Sequence, residues 1–208
     1  MKKLIVICLT LLLIVGCGKE EEKPVYFTEG ELEGVKYKET AEVTTNIKIQ
    51  MEDTSIGIIL LELYPDIAPI TVENFQKLIS EKFFDGTKFH RVVKNFMIQG
   101  GISSTDVEAE NIKGEFLSNG VDNYLKHERG IISMARGGSM DSASSQFFIM
   151  HKANSGLDRD YAAFGKVIAG MDTVDKIANT PVDNPNSDFP IPLTDQIVKS
   201  IRFVNIEN

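Results

Sequence analysis

From residue 88 onward the chain is written in short β-prone runs, each cut off within a few residues by glycine or aspartate. That punctuation constrains the fold more than anything else in the sequence. A strand is complete in about four to eight residues, whereas a helix needs about ten or more, and glycine and aspartate favour turns over both. Upstream, Ile47, Ile49 and Met51 alternate with polar residues, as in a half-buried strand. Residues 52–55 read as a turn and residues 56–64 as the second strand of a hairpin. Two stretches read as helical. Pro69 opens the first, where its missing N–H costs nothing, and Val72, Phe75, Leu78 and Ile79 give it one apolar stripe. Residues 172–178 form the second. Residues 197–206 close the chain as a strand. Many short strands and few helices predict an all-β domain, a closed antiparallel barrel.

Within that pattern, residues 89–101 hold the strongest functional signal. In an extended strand, residues two apart share a face. Arg91, Val93, Met97 and Gln99 can then line one surface, with Phe96 reaching in from a turn. A cation, an amide and an apolar wall together suit a ligand that is half polar and half apolar. A second segment, Ser145-Gln146-Phe147-Phe148-Ile149, belongs to the same pattern.

Together the two segments resemble the cyclophilin family of peptidyl-prolyl cis-trans isomerases. The resemblance runs from about residue 46 to about residue 205. It takes in Glu62-Leu63-Tyr64, Asn74-Phe75, Gly-Ile-Ile-Ser-Met-Ala-Arg at 130–136 and Ala-Phe-Gly-Lys-Val at 163–167. It implies a closed eight-stranded antiparallel barrel plugged by two helices, with the isomerase domain over 46–206. It also implies a monomer that acts on proline-containing, extended or unfolded polypeptides, with no cofactor and no metal.

An X–Pro amide exchanges slowly between trans and cis because its C–N bond is conjugated. In the transition state the bond is twisted and the nitrogen lone pair is freed. A donor aimed at that nitrogen stabilises the twisted form over both planar forms, the differential binding that catalysis requires. Arg91 suits this task, being always charged with its donors in a fixed fork, and Gln99 on the same face can hold the fork. In the family the matching arginine and glutamine do these jobs. An isolated strand arginine more often makes a surface ion pair; the surrounding motif favours catalysis here.

The resemblance assigns Phe96, Met97, Phe148 and Leu157 to the pocket for the proline ring. A rigid apolar ring suits an aromatic floor with an adaptable methionine wall. Phe147 and Phe148 are adjacent and face opposite ways, so Phe147 is assigned to the core. Ala135, Arg136 and Gln146 match positions that bind the peptide backbone beside the proline. Tyr161 stands where many relatives have histidine, and its phenol can donate toward a substrate carbonyl. Gly156 departs from the pattern: many relatives have an aromatic there, often tryptophan, which contacts the inhibitor cyclosporin. Weak cyclosporin binding is therefore expected.

A length of 208 residues fits one domain plus appendages. The net charge of -8 argues against a nucleic-acid partner. Lys2 and Lys3 precede a 13-residue apolar run, residues 4–16. That run is shorter than the roughly 20 residues a membrane-spanning helix needs, and it fits the apolar region of a secretory signal. Gly16 before Cys17 resembles the bacterial lipobox, in which the cysteine is lipidated and becomes the new N-terminus. The alternative is an ordinary signal that happens to contain Cys17. On the lipobox reading, residues 1–16 are a signal peptide and residues 17–45 comprise the lipidated cysteine, a charged tether and a loosely attached leader with room for a short strand lying on the domain. The protein is then exported and held by its lipid on the outer side of the cell membrane. Cys8 would leave with the signal, so no intramolecular disulfide could form.

Other constellations are weaker. His90, His127 and His151 lack metal-ligand spacing. Residues 136–139 read as a loop rather than an anion-binding nest, and Asp158-Arg159-Asp160 as a turn. Ser144 and Ser145 lack the nucleophile elbow of a hydrolase. The main rival to an isomerase is a non-catalytic proline-peptide-binding module or holdase that kept only the groove.

Overall fold

A computed structural model describes residues 28–207. The signal, tether and Cys17 readings fall outside the described residues.

Ten strands and two helices follow in chain order. They are β1 (Glu29–Leu32), β2 (Val35–Glu39), β3 (Asn46–Met51), β4 (Ile58–Leu63), α1 (Pro69–Ser80), β5 (Arg91–Val93), β6 (Met97–Gly100), β7 (Ile131–Met134), β8 (Phe147–Met150), β9 (Ala163–Ala169), α2 (Met171–Ala178) and β10 (Val198–Glu207). Every strand pair is antiparallel. The order across the sheet is β1-β2-β10-β3-β4-β9-β7-β8-β6-β5. The predicted hairpin of β3 and β4 pairs Ile47 with Leu61 and Ile49 with Ile59, and all four side chains are buried. In α1, Val72, Phe75, Leu78 and Ile79 are buried as the stripe requires.

The closed barrel is corrected. From β10 to β5 the sheet runs through eight strands, the expected number, but the hydrogen-bond ladder does not close. Where β5 would meet β10, the chain before β5 makes a single bridge, Lys88 to Ile197. Backbone bonds from Phe89 N–H to Gln196 O at 3.0 Å and from Val198 N–H to Thr87 O at 2.7 Å hold that seam. Three residues of β5 are too few to continue the ladder, and Val92 N–H is instead satisfied by Pro190 O at 3.1 Å.

The leader holds two strands where a single short strand lying on the domain was expected. Residues 29–39 form a hairpin that pairs along β10, Glu39 opposite Val204 and Glu207 opposite Lys36. Glu39 reaches Lys48, whose side chain is buried, at 2.5 Å. Lys48 also donates to Thr28 Oγ1 at 2.9 Å. A buried ammonium needs such partners, so the hairpin completes β3 instead of merely lying on it.

An aromatic cluster fills the core. Phe75, on the apolar stripe of α1, lies 4.8 Å from Phe84, 5.3 Å from Phe147 and 5.2 Å from Phe164 between ring centroids. A smaller apolar cluster on the other face of β6 and β8 contains Met97, Phe148, Phe96, Leu157 and Tyr161. The pleat separates the two, since Ile98 and Phe147 face the core while Met97 and Phe148 face away.

Candidate active site

The site starts from a hairpin that aims alternate residues at one surface. β5 and β6 pair with Arg91 opposite Gln99 and Val93 opposite Met97. Their turn needs a left-handed residue, and Asn95 supplies it with φ 62°. Asn95 N–H donates to His151 Nδ1 at 2.9 Å, which fastens the turn to the chain after β8. Just beyond β6, Gly101 has φ 89°, and a Cβ there would collide with the Ser145 carbonyl oxygen. Glycine therefore lets β6 approach the segment that carries Gln146.

The guanidinium of Arg91 is held at two points. Its Nη1 donates to Gln99 Oε1 at 3.0 Å and its Nε donates to Asp188 O at 2.8 Å. Gln99 is held in turn, its Nε2 donating to Gln146 Oε1 at 3.1 Å. The Phe189 ring covers the guanidinium, with its centroid 5.0 Å from Cζ. Among the described residues Nη2 makes no hydrogen bond, so one amine of the fork is left for a ligand. Burial pulls the Arg91 pKa below its ordinary value, and Tyr161 and Asp188 oppose that pull.

Beside Arg91 lies a cavity of about 320 Å³, a volume suited to a proline ring and its neighbours. Of the predicted site residues it brings together Arg91, Phe96, Met97, Gln99, Ala135, Arg136, Phe148, Leu157 and Tyr161. Phe148 forms part of its apolar wall, edge-on to Tyr161 with ring centroids 5.8 Å apart. Arg136 closes one side. Its Nε donates to Asp160 O at 2.9 Å, and its Cζ lies 5.0 Å from the Tyr161 centroid and 5.2 Å from that of Phe116. Gln146, whose side chain holds Gln99, does not line this cavity but a second one of about 630 Å³, together with Ile102, Val107 and Ser144. Its main chain still reaches the site, accepting from Ala135 N–H at 2.9 Å. Gly156 lies exposed on a short 3-10 turn, residues 155–157, that presents Leu157 to the cavity.

Two features escaped the sequence reading. One is Phe189, with the Asp188 carbonyl before it. Both sit in a stretch rich in proline, asparagine and aspartate that reads only as a loop, and nothing local signals its return to Arg91. The other lies under Phe148, where the His127 ring stacks at 5.9 Å and 19°. His127 Nδ1 lies 3.1 Å from Asp158 Oδ1 and Nε2 lies 3.0 Å from Ser133 Oγ. Donation from Nδ1–H to the carboxylate and acceptance by Nε2 from the hydroxyl satisfy all three groups. Burial lowers the His127 pKa below the usual imidazole value, against the opposing pull of Asp158. Burial also pushes Asp158 up, but bonds from the His127 backbone N–H and ring outweigh that and hold the carboxyl below its usual range. Metal-ligand spacing among the histidines gives no sign of this arrangement, because its partners are a serine six residues on and a carboxylate 31 residues away.

Comparison with known proteins gives a consistent set of relatives. The family model described as cyclophilin type peptidyl-prolyl cis-trans isomerase/CLD matches residues 46–203. A peptidyl-prolyl cis-trans isomerase of Acinetobacter baylyi is 40% identical over 172 residues, covering 80% of this chain and 90% of that protein. Peptidyl-prolyl cis-trans isomerase A of Dickeya dadantii is 40% identical over 156 residues, covering 73% of this chain and 82% of its own length. Among solved structures, a Cryptosporidium parvum cyclophilin type peptidyl-prolyl cis-trans isomerase, crystallised in the presence of the dipeptide Ala-Pro, superposes with a TM-score of 0.65 at 28% identity. It covers 76% of this chain and 97% of that one.

Proposed function

Since the chain belongs to the family of cyclophilin-type peptidyl-prolyl cis-trans isomerases and has their activity, we propose that it twists X–Pro bonds without covalent chemistry, with Arg91 as the donor to the prolyl nitrogen. The observation that carries this reading is the restrained fork. Gln99 and the Asp188 carbonyl hold Nη1 and Nε, while Nη2 has no partner among the described residues and Arg91 lines the cavity. Conjugation makes the barrier to rotation about 18–20 kcal/mol. A preorganised cation near the nitrogen acts only when the lone pair is released, so it lowers that barrier without tightening the ground state. Phe96, Met97, Phe148 and Leu157 hold the proline ring. Ala135, Arg136 and Gln146 meet the flanking backbone, and Tyr161 donates toward the substrate carbonyl. No proton is transferred and no bond is broken.

The clients are exported proteins that arrive unfolded at the outer face of the cell membrane, where a diacyl anchor on Cys17 keeps the enzyme. Lys2 and Lys3, the apolar run and Gly16 before Cys17 support this location. Slow proline isomerisation limits the folding of such chains, and placement at the exit is its remedy.

Cyclosporin binds weakly because Gly156 offers no aromatic surface. In the Gly156→Trp variant the new Cβ would lie 3.0 Å from Asn154 Oδ1, which a small movement of that side chain relieves. The test follows the cis-to-trans conversion of a proline tetrapeptide as cyclosporin is added. The folded wild-type protein should accelerate the reaction, and Gly156→Trp should lower the half-inhibiting cyclosporin concentration about tenfold. No acceleration by the wild type would overturn the mechanism. Unchanged sensitivity in the variant would overturn the account of cyclosporin.

A further inference from the structure

The chain that supplies Asp188 and Phe189 continues past the site as an exposed apolar row. Phe189, Ile191 and Leu193 are 66%, 53% and 68% exposed, while Pro190 and Pro192 between them are buried. That alternation sends the three large side chains outward and roots the two prolines in the molecule. The roots are specific: Pro190 O accepts from Val92 N–H at 3.1 Å, Pro192 bridges Val182, and Leu193 N–H donates to Pro181 O at 2.8 Å. Ile191 is fixed on both sides, its O accepting from Asp183 N–H and its N–H donating to Asp183 Oδ1, each at 2.9 Å. Two prolines lock φ, so the row is stiff and a partner meets it without first having to order it.

We propose that this row is a second binding surface for the substrate polypeptide, taking apolar side chains within about four residues of the proline being isomerised. The proposal rests on the reading of Arg91 and its cavity as the active site. Continuity carries it: Phe189 is at once a wall of the cavity, the ring over the Arg91 guanidinium and the first member of the row. At about 3.3 Å per extended residue, Phe189 to Leu193 spans about 13 Å, the reach of four substrate residues leaving the pocket. Buried apolar side chains of the folded client are exposed in its unfolded form, so an apolar strip beside the pocket selects unfolded chains over prolines on native surfaces. A second copy of this chain is a poor occupant. Three partly exposed side chains offer on the order of 300 Å², whereas a stable dimer buries roughly 1,200 Å² or more.

The test uses three peptides and the double variant Ile191→Ser/Leu193→Ser, whose changes lie on exposed side chains outside the cavity. The peptides are Ala-Ala-Pro-Ala and two twelve-residue peptides with Ala-Pro at the centre, one with leucine and one with serine at alternate flanking positions. Wild-type protein should turn over the leucine peptide with a KM about tenfold below that of the serine peptide. The double variant should lose that preference while converting Ala-Ala-Pro-Ala at the wild-type rate. Equal KM values for the two long peptides in wild type would overturn the proposal, as would a preference that survives in the variant. Failure of the wild type to convert Ala-Ala-Pro-Ala would instead overturn the catalytic reading. Binding of the fluorescently labelled long peptides would then still decide the row: tighter binding of leucine than serine supports it, and equal binding contradicts it.

Discussion

Single side chains in this site are defined by what restrains them. Arg91 is held by Gln99 and a carbonyl, and Phe148 rests on a histidine whose burial favours the neutral ring. Burial holds His127 below the imidazole range, so its folded pKa is lower than the unfolded value of about 6.5. Between those two values the unfolded chain binds more protons, and stability rises with pH across that window. Stability is then complete above the unfolded value and is lost as pH falls through the folded one. His127→Gln offers similar partners without a titrating ring. Between pH 7.5 and 5, the thermal midpoint of the wild type should fall further than that of His127→Gln, by about 2–4 °C. His90 and His151, also lowered first by burial, are common to both proteins and cancel in the difference. Equal falls would contradict the buried neutral imidazole.

At the scale of elements, the hairpin of β1 and β2 does structural work at the far end of the strand order. Lys48 is 3% exposed and depends on Glu39 and Thr28 for its partners. Glu39→Ala would leave that ammonium buried with one hydroxyl and the face of the Tyr37 ring, whose centroid lies 5.3 Å from Nζ. It should cost about 2–3 kcal/mol in denaturant unfolding, less than a fully buried pair because Glu39 is partly exposed. No hairpin residue lines the cavity, so turnover should stay at the wild-type rate; a loss below about 0.5 kcal/mol would show that the pair does not support β3. Much of the element list was legible beforehand, because local periodicity and proline position mark it. Pro69 and the stripe ending at Ile79 defined α1, and the alternation of Ile47, Ile49 and Met51 defined β3. Pairings were less legible. Glu39 meets Val204 across most of the chain, and no local pattern announces such a contact. The open seam at Lys88 and Ile197 likewise depends on the length of β5 and on where Pro190 falls. Within the site, the alternating residues of β5 and β6 and the Phe147-Phe148 pair were readable from the pleat. Phe189 was not, since its approach to Arg91 is set by the path of a loop.

For the whole molecule, the described fold needs no helix able to cross a membrane, and none is present among the described residues. The proposed attachment rests on Cys17. In cells expressing the full chain, the wild type should sediment with membranes and Cys17→Ala should appear in the soluble fraction or the medium. Identical fractionation of the two would contradict the lipid anchor. On this account, the β5–β6 hairpin and the loop at 181–193 have one joint output: a guanidinium held still at the mouth of an apolar pocket. The most direct test measures cis-to-trans turnover and proline-peptide binding side by side for the wild type and Arg91→Ala. Removing a preorganised donor of this kind should lower kcat/KM about 10²–10³-fold while the peptide dissociation constant changes by no more than about threefold. Turnover that survives the substitution, or turnover and affinity that fall together, would contradict the claim that Arg91 acts on the twisted amide.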